Sequence, residues 1–268
     1  MEDQKLYILK LGGSLLTDKQ KPESIRYEIL NRVTQEIIVA HEKLILIHGG
    51  GSFGHPLAKK YKISNGIDKK IVNQTLGLSK THFAMNKFNS IIVNSFLENH
   101  CPVLPIQTSS SFIQDSQQIL SKAINIIEAT LDLEIIPILY GDILLNMDRS
   151  FSIISGDQII YLLCRDLKKY KVSKVIFAMD IDGIYIKDKS NESDYKLLDI
   201  VHKKELSDLE LAKMDRKIDV TGGIRGKINA IDKILEYKIP IQLINGLKEG
   251  YIFNSLKNIS INCTTILP

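Results

Sequence analysis

The sequence has few cysteines and no pattern that would join them. The three are Cys101, Cys164 and Cys263, with no CxxC pair and no histidine cluster beside them. Neither a disulfide framework nor a zinc site is therefore indicated. We expect buried thiols in a reducing compartment.

Long apolar runs are also missing. Residues 1–5 lack the basic start and the apolar stretch of a signal peptide, and no run of about 18 apolar residues occurs. No Pro-rich linker or low-complexity tract interrupts the chain. These absences predict a cytoplasmic protein that makes no contact with a membrane.

Neither sign of charge dominates. The 35 basic and 31 acidic residues leave a formal net charge of +4, which is too small to indicate a nucleic-acid-binding protein but suits a small anionic ligand. With 44% hydrophobic and 25% charged residues, the 268-residue chain has enough apolar material for a sizeable core.

Apolar runs and helical patterns alternate along the chain. Strands are predicted at 6–11, 43–47, 103–106, 135–140, 175–179 and 241–244, helices at 26–41, 75–98, 121–133, 156–169 and 226–237, and a hairpin at 143–154. This order predicts an α/β fold, with a mainly parallel central sheet and helices on both faces. We expect two lobes on one continuous sheet, 1–170 and 171–268.

Five turns rich in glycine or acidic residues carry the candidate chemistry, four of them directly after apolar runs. They occupy residues 10–14, 48–55, 154–157, 179–185 and 219–227. Glycines let successive backbone N–H groups converge on an anion, and the carboxyl ends of parallel strands meet at one edge of the sheet. Together the turns therefore predict a phosphate-binding site.

Each turn has a plainer interpretation. Residues 12–13 could form an ordinary tight turn, and Ser155 or Asp157 could simply cap a helix. The second turn is less ordinary, because several glycines in one short loop weaken regular structure and His55 follows them directly. His55 could donate to an oxyanion. His48 and His82 lack that setting, and His48 could be a packed residue.

These residues resemble those of the amino-acid kinase superfamily, and within it the archaeal-type isopentenyl phosphate kinases. The resemblance covers almost the whole chain, and its most specific part is the glycine loop that ends in His55. It implies the amino-acid kinase fold, an α/β/α sandwich, with the acceptor in the amino-terminal lobe and ATP in the carboxyl-terminal lobe. It also implies Mg²⁺ between the phosphates and a homodimer.

The resemblance assigns a role to each matching residue. The catalytic residues would be Lys10, Lys19, His55 and Asp157. ATP would be bound by Lys10, Gly12, Gly13, Ser14, Gly51, Asp180, Gly222, Gly223 and Lys227, and the acceptor by Gly50, His55 and Gly156. No side chain is assigned to the metal.

The acceptor itself stays open at this point. The resemblance implies phosphorylation of isopentenyl phosphate to isopentenyl diphosphate in isoprenoid biosynthesis, by the alternative mevalonate route. Another phosphate or phosphonate acceptor, such as fosfomycin, is an alternative, and so is a nucleotide-binding protein without catalysis. Apolar residues around the helix at 75–98, Met85 and Phe83 among them, could form a wall for a prenyl tail or ordinary core.

Overall fold

The computed structural model describes residues 5–116, 118–187, 195–206 and 220–268, with the side chains of 187 and 220–226 excepted. The strands are, in chain order, β1 (Leu6–Leu11), β2 (Leu44–His48), β3 (Val103–Pro105), β4 (Phe112–Asp115), β5 (Gln118–Ser121), β6 (Ile136–Tyr140), β7 (Asp142–Leu145), β8 (Phe151–Ile154), β9 (Val172–Met179), β10 (Tyr185–Lys187), β11 (Tyr195–Leu197), β12 (Ile200–His202), β13 (Ile241–Asn245) and β14 (Thr264–Leu267).

The α-helices are α1 (Gly13–Leu16), α2 (Tyr27–Ala40), α3 (Gly51–Lys60), α4 (Gln74–Leu97), α5 (Thr108–Ser111), α6 (Ile124–Asp132), α7 (Gly156–Asp166), α8 (Val220–Leu235) and α9 (Tyr251–Leu256). Of the helices in the described part of the chain, none combines the length and the apolar composition that crossing a bilayer requires.

An eight-stranded sheet runs through the molecule in the order β12-β14-β13-β9-β1-β2-β6-β3. The strands from β13 to β3 in this order are mutually parallel. Strand β14 pairs antiparallel with β13, and β12 pairs parallel with β14. Within the described residues, the other strands form three two-stranded ribbons: β4-β5, β7-β8 and β10-β11. The α/β architecture with a mainly parallel sheet is as predicted.

Alternation along β1 distributes its side chains between two cores. Leu6 and Ile8 pack on the face covered by α6, α7 and α8, while Leu9 and Leu11 pack on the face covered by α2, α4 and α9. Lys10 is the next residue on the first of these faces. The period of two therefore directs an ammonium group to the α7 and α8 side at the carboxyl end of the strand.

Side chains on α2 connect the amino-terminal half of the chain to the carboxyl-terminal half. Arg32 donates to the carbonyl oxygens of Gly246, at 2.6 Å, and Lys248, at 3.1 Å. Glu36 accepts from the backbone N–H groups of Gly250, Ile252 and Phe253 at 2.9–3.2 Å, satisfying donors at the start of α9. The division near residue 170 stays a prediction. The sheet continues across that point, and these contacts join the two halves of the chain.

Candidate active site

A cavity of about 600 Å³ opens at the carboxyl ends of β1, β2, β6 and β9. This edge is where open α/β sheets bind ligands, because the turns that follow the parallel strands meet there. Most of the residues selected from the sequence line it: Lys10, Gly12, Gly13, Ser14, Lys19, Gly50, Gly51, His55, Gly156, Asp157, Asp180 and Lys227. Their roles remain predictions, but the structure gathers them in one place.

The first two glycine turns pack backbone against backbone. A Cβ built on Gly13 would lie 2.6 Å from the Cα of Gly51, and Gly51 itself has a φ of +48°, which side-chain-bearing residues rarely adopt. Thr17 connects the same two turns, since its Oγ1 donates to the carbonyl oxygen of Gly13 at 2.7 Å and accepts from the N–H of Ser52 at 2.9 Å. The two turns therefore form one rigid unit.

Lys10, Asp157 and Lys227 form a buried charge cluster. Lys10 Nζ donates to Asp157 Oδ1, and Lys227 Nζ lies 3.8 Å from Asp157 Oδ2. The exposed fractions of the three side chains are 9%, 12% and 20%. Burial alone would raise the pKa of Asp157, but the two ammonium groups hold it below its ordinary value. A carboxylate is thus shared between two lysines at the cavity wall.

The start of α7 places Asp157. Ser155 is the N-cap, and its Oγ accepts from the N–H of Gln158 at 3.2 Å while Gln158 Oε1 accepts from the N–H of Ser155 at 2.8 Å. A Cβ on Gly156 would lie 3.0 Å from Lys10 Cε, so glycine leaves room for the lysine. The cap interpretation is thus correct for Ser155, and Asp157 holds lysines instead.

His55 faces the cavity from α3, close to Gly50. Enclosure by the surrounding protein, and then the positive charges of Lys10, Lys19 and Lys227, lower the pKa of His55 below its ordinary value. The lowered pKa favours the neutral imidazole in the free protein. It can donate one hydrogen bond, and the arrival of an anion would favour its protonation.

Lys19 and Asp180 form the exposed side of the site. Lys19 Nζ lies 3.9 Å from Asp180 Oδ2, with side-chain exposures of 59% and 39%. Such a loose pair contributes little to stability. Lys19 is therefore free to follow a charged ligand.

The turn before α8 differs from expectation. The sequence predicted two glycines ahead of a helix starting at residue 226, but α8 begins at Val220, so Gly222 and Gly223 lie within its first turns. Low helix propensity is a weak prior that tertiary context overrides. Asp219 lies outside the described residues, and what surrounds the two glycines is not described, so their assignment to ATP stays a prediction.

The two interpretations of the apolar residues around α4 each apply to some of them. Met85 lines the cavity and Phe88 is buried in the core, but Phe83 is 71% exposed. Val72 is 80% exposed and precedes α4, whose first residue is Gln74. The pattern was too weakly amphipathic to show which residues of this helix face inward. Ile153 on β8, which the sequence did not single out, also lines the cavity, next to Ile154 of the third turn.

Two other histidines lie near the site, in different surroundings. His48 is fully buried, stacks on Tyr140 and meets the edge of Phe88, and burial lowers its pKa to about 4. It is the packed residue that its strand-end position suggested. His82, dismissed from the sequence, bonds to Asp142 in the cavity wall. No local motif marks this pair, because its members are far apart along the chain.

Comparison with known proteins identifies the family. The sequence model of the Amino acid kinase family matches residues 5–245. The chain is 36% identical to the isopentenyl phosphate kinase of Methanocaldococcus jannaschii over 267 residues, covering 94% of this chain and 95% of that protein. The chain belongs to the amino acid kinase family. It is also 33% identical to the isopentenyl phosphate kinase of Methanothermobacter thermautotrophicus, with 97% and 98% of the two chains covered.

The fold of this chain is shared by a solved structure of an isopentenyl phosphate kinase. The TM-score is 0.82 at 30% identity, and 97% of this chain and 99% of the other are covered. The amino-acid kinase fold expected from the sequence is confirmed.

The residues that line the cavity indicate which chemistry it can support. The lining includes three lysines and the backbone of the glycine turns, and also apolar side chains such as Met85 and Ile153. Phosphoryl transfer between two phosphate-bearing molecules demands cations and positioning rather than covalent chemistry by the protein. The cavity offers both.

Proposed function

We propose that the protein transfers the terminal phosphoryl group of ATP to isopentenyl phosphate, forming isopentenyl diphosphate and ADP. The observation that carries this proposal is one cavity lined both by Lys10, Lys19 and Lys227 and by apolar side chains such as Met85 and Ile153. An acceptor with a phosphate head and a short apolar tail matches a lining of this mixed kind. The near-full-length similarity to isopentenyl phosphate kinases supports the same acceptor.

The acceptor phosphate would be its own nucleophile. One of its anionic oxygens would bond to the γ-phosphorus while the bond from that phosphorus to the β,γ-bridging oxygen breaks, and ADP would leave with the electron pair. No general base is required, because the attacking oxygen carries no proton that must be removed. The protein would contribute charge stabilisation and alignment.

The residues divide these tasks. His55 would hold the acceptor phosphate, with Gly50 and Gly156 beside it. Lys10 and Lys227, held in place by Asp157, would face the transferring group, and the exposed Lys19 would close on it from the opposite side. Fixed lysines cost no reorganisation when charge moves, which favours the transition state.

Magnesium fits the carboxylates of the cavity wall. Asp157 is engaged by two lysines and Asp142 by His82, while Asp180 is partly exposed and only loosely paired. Asp180 is therefore the carboxylate that could hold Mg²⁺ borne by ATP, as is common for this ion. When bound, the metal would neutralise phosphate charge.

The test is an acceptor panel. Purified protein with ATP and Mg²⁺ should release ADP when given isopentenyl phosphate, with a kcat/KM at least about a hundredfold above those for fosfomycin and other phosphate or phosphonate acceptors. Lys10→Met is the inactive control. No ADP release with isopentenyl phosphate would refute the proposal, and a preference for fosfomycin would replace the acceptor. Tight ATP binding without transfer to any acceptor would indicate a binding protein.

The cellular location, the pathway and the oligomeric state belong to the same proposal. We infer a cytoplasmic homodimer that serves isoprenoid synthesis by the alternative mevalonate route, in line with the family resemblance. Light scattering coupled to size exclusion tests the assembly, with an expected mass twice the 30.3 kDa of one chain.

A further inference from the structure

A histidine and an aspartate form a pair at the wall of the cavity. His82 on α4 donates from Nδ1 to Asp142 Oδ2 at 2.8 Å, and Asp142 is the first residue of β7. Asp142 belongs to the cavity wall, yet its side chain has no exposed surface. A carboxylate is therefore embedded just behind the surface that would receive an anionic acceptor.

Such a carboxylate opposes the binding of a phosphate. Charges interact more strongly through protein than through water, so an uncompensated carboxylate at the wall would repel a phosphate in the cavity. The backbone N–H of Ile143 donates to Asp142 Oδ1 at 2.8 Å, which stabilises the carboxylate but supplies no net charge. His82 is the partner that can cancel it.

The side chains around His82 determine whether its ring can carry a charge. Its hydrogen bond to Asp142 raises the pKa of His82, against the opposing effect of partial burial. Nε2 lies 3.0 Å from Asn86 Nδ2 and 2.7 Å from Gln107 Nε2. Both amide nitrogens donate to Nε2 as the side chains are placed, so a charged ring requires both amides to turn. Asn86 can turn because the Tyr140 hydroxyl, which donates to its Oδ1, can accept from Nδ2 instead. Gln107 is exposed and can turn its amide oxygen toward a protonated Nε2.

We propose that His82 is a positioning residue of the acceptor site, whose imidazolium cancels the buried charge of Asp142 and so lets the cavity accept an anionic head group. The proposal rests on the proposed function, since it concerns the acceptor phosphate. His82 touches neither substrate nor the transferred group, and it acts through Asp142.

The decisive variant is His82→Asn, in which the amide nitrogen can replace Nδ1 as donor while the positive charge is lost. Binding of isopentenyl phosphate and of the neutral alcohol isopentenol is measured by calorimetry. We expect the Kd of the phosphate to rise about tenfold, the effect of one uncompensated charge several ångströms away, with that of the alcohol unchanged within about twofold. Adding Asp142→Asn to this variant should restore phosphate binding to within about threefold of wild type.

A structural role for the pair predicts different results. If His82 only braced α4 against β7, both ligands would weaken together and the second substitution would worsen the defect. Either result, or unchanged phosphate affinity in His82→Asn, overturns the proposal. The matched control is His100→Asn on an exposed residue with a φ of 55°, which asparagine tolerates, and it should bind both ligands as wild type does.

Two further measurements keep the test decisive. Nitrogen-15 spectra of wild-type protein with labelled histidine should show both ring nitrogens of His82 protonated at pH 7, and a neutral ring would overturn the proposal even if the variant failed to fold. If wild-type protein does not bind isopentenyl phosphate, the proposed function fails. The same variants are then titrated with inorganic phosphate, and the same pattern of loss and rescue is required.

Discussion

The contact between the first two glycine turns predicts the effect of Gly13→Ala. Helix propensity alone would favour alanine by less than the roughly 1 kcal/mol of a helix interior, because Gly13 is the first residue of α1. The added Cβ would instead lie 2.6 Å from the Cα of Gly51, a backbone atom that cannot rotate away. To reach ordinary contact, the turns must separate by about 0.8 Å.

Steric overlap should outweigh propensity in this case. Overpacking of this kind costs about 1–3 kcal/mol of unfolding free energy, measurable by urea denaturation. The larger effect is expected on catalysis, since a shift approaching 1 Å between phosphate-binding groups can lower kcat/KM about a hundredfold. ADP release coupled to NADH oxidation measures that loss.

Gly141→Ala is the matched control, because its Cβ would meet the N of Gly156 at 3.4 Å, an ordinary contact in the same cavity wall. It should change the free energy of unfolding by no more than about 0.5 kcal/mol and kcat/KM by no more than about threefold. Wild-type stability and kinetics in Gly13→Ala would refute the argument, since the two turns could not then be in contact.

Three further predictions follow from the charges at the site. Asp157→Asn leaves Lys10 buried without a carboxylate and should lower the free energy of unfolding by about 3 kcal/mol in urea, whereas an unchanged midpoint would contradict the buried pair. Lys19→Ala should leave the unfolding free energy within about 0.5 kcal/mol, as its side chain is 59% exposed, yet lower kcat at least about tenfold; a stability loss with normal turnover would contradict its assigned role. The pKa of His55 is lowered in the free protein and should rise when the acceptor phosphate binds, so its contribution to affinity is complete below the free pKa and is lost as pH rises through the bound pKa. Calorimetry in two buffers of different ionisation enthalpy should show proton uptake that His55→Gln abolishes.

Much of the fold could be predicted because local patterns and the topology agree. The run at 6–11 and the helical spacing at 26–41 correspond to β1 and to α2 at Tyr27–Ala40. Convergence of the glycine turns followed from the parallel sheet, since its strands present their carboxyl ends at one edge. The sequence also predicted that the carboxylate of Asp157 would orient cations, and in the fold it pairs with Lys10 and Lys227.

The elements that were missed depend on distant contacts. Residues 51–60 form α3, although the glycines and Pro56 argued for a loop. Proline removes the N–H that would bond to the carbonyl of Ser52, but this carbonyl accepts from the N–H of Glu23 at 3.1 Å instead. The helix therefore loses little from its proline, and nothing near residue 56 in the sequence reveals the substitute donor.

The pair of His82 and Asp142 was missed for the same kind of reason. Its members come from α4 and β7 and meet only when the helix packs beside the turn after β6. A histidine within a helix has no local signature of this partner. Sequence patterns identify residues that act through their neighbours in the chain, whereas this pair exists only in the folded state.

The central position of β1 has a practical consequence for engineering. β1 pairs with β2 on one side and with β9 on the other, and Glu36 caps α9 from the opposite half of the chain. A chain cut near residue 170 would leave each fragment with an open strand edge and one of them with an uncapped helix. Neither piece should be active alone, which makes the pair a candidate split reporter that regains activity when fused binding partners reunite the fragments.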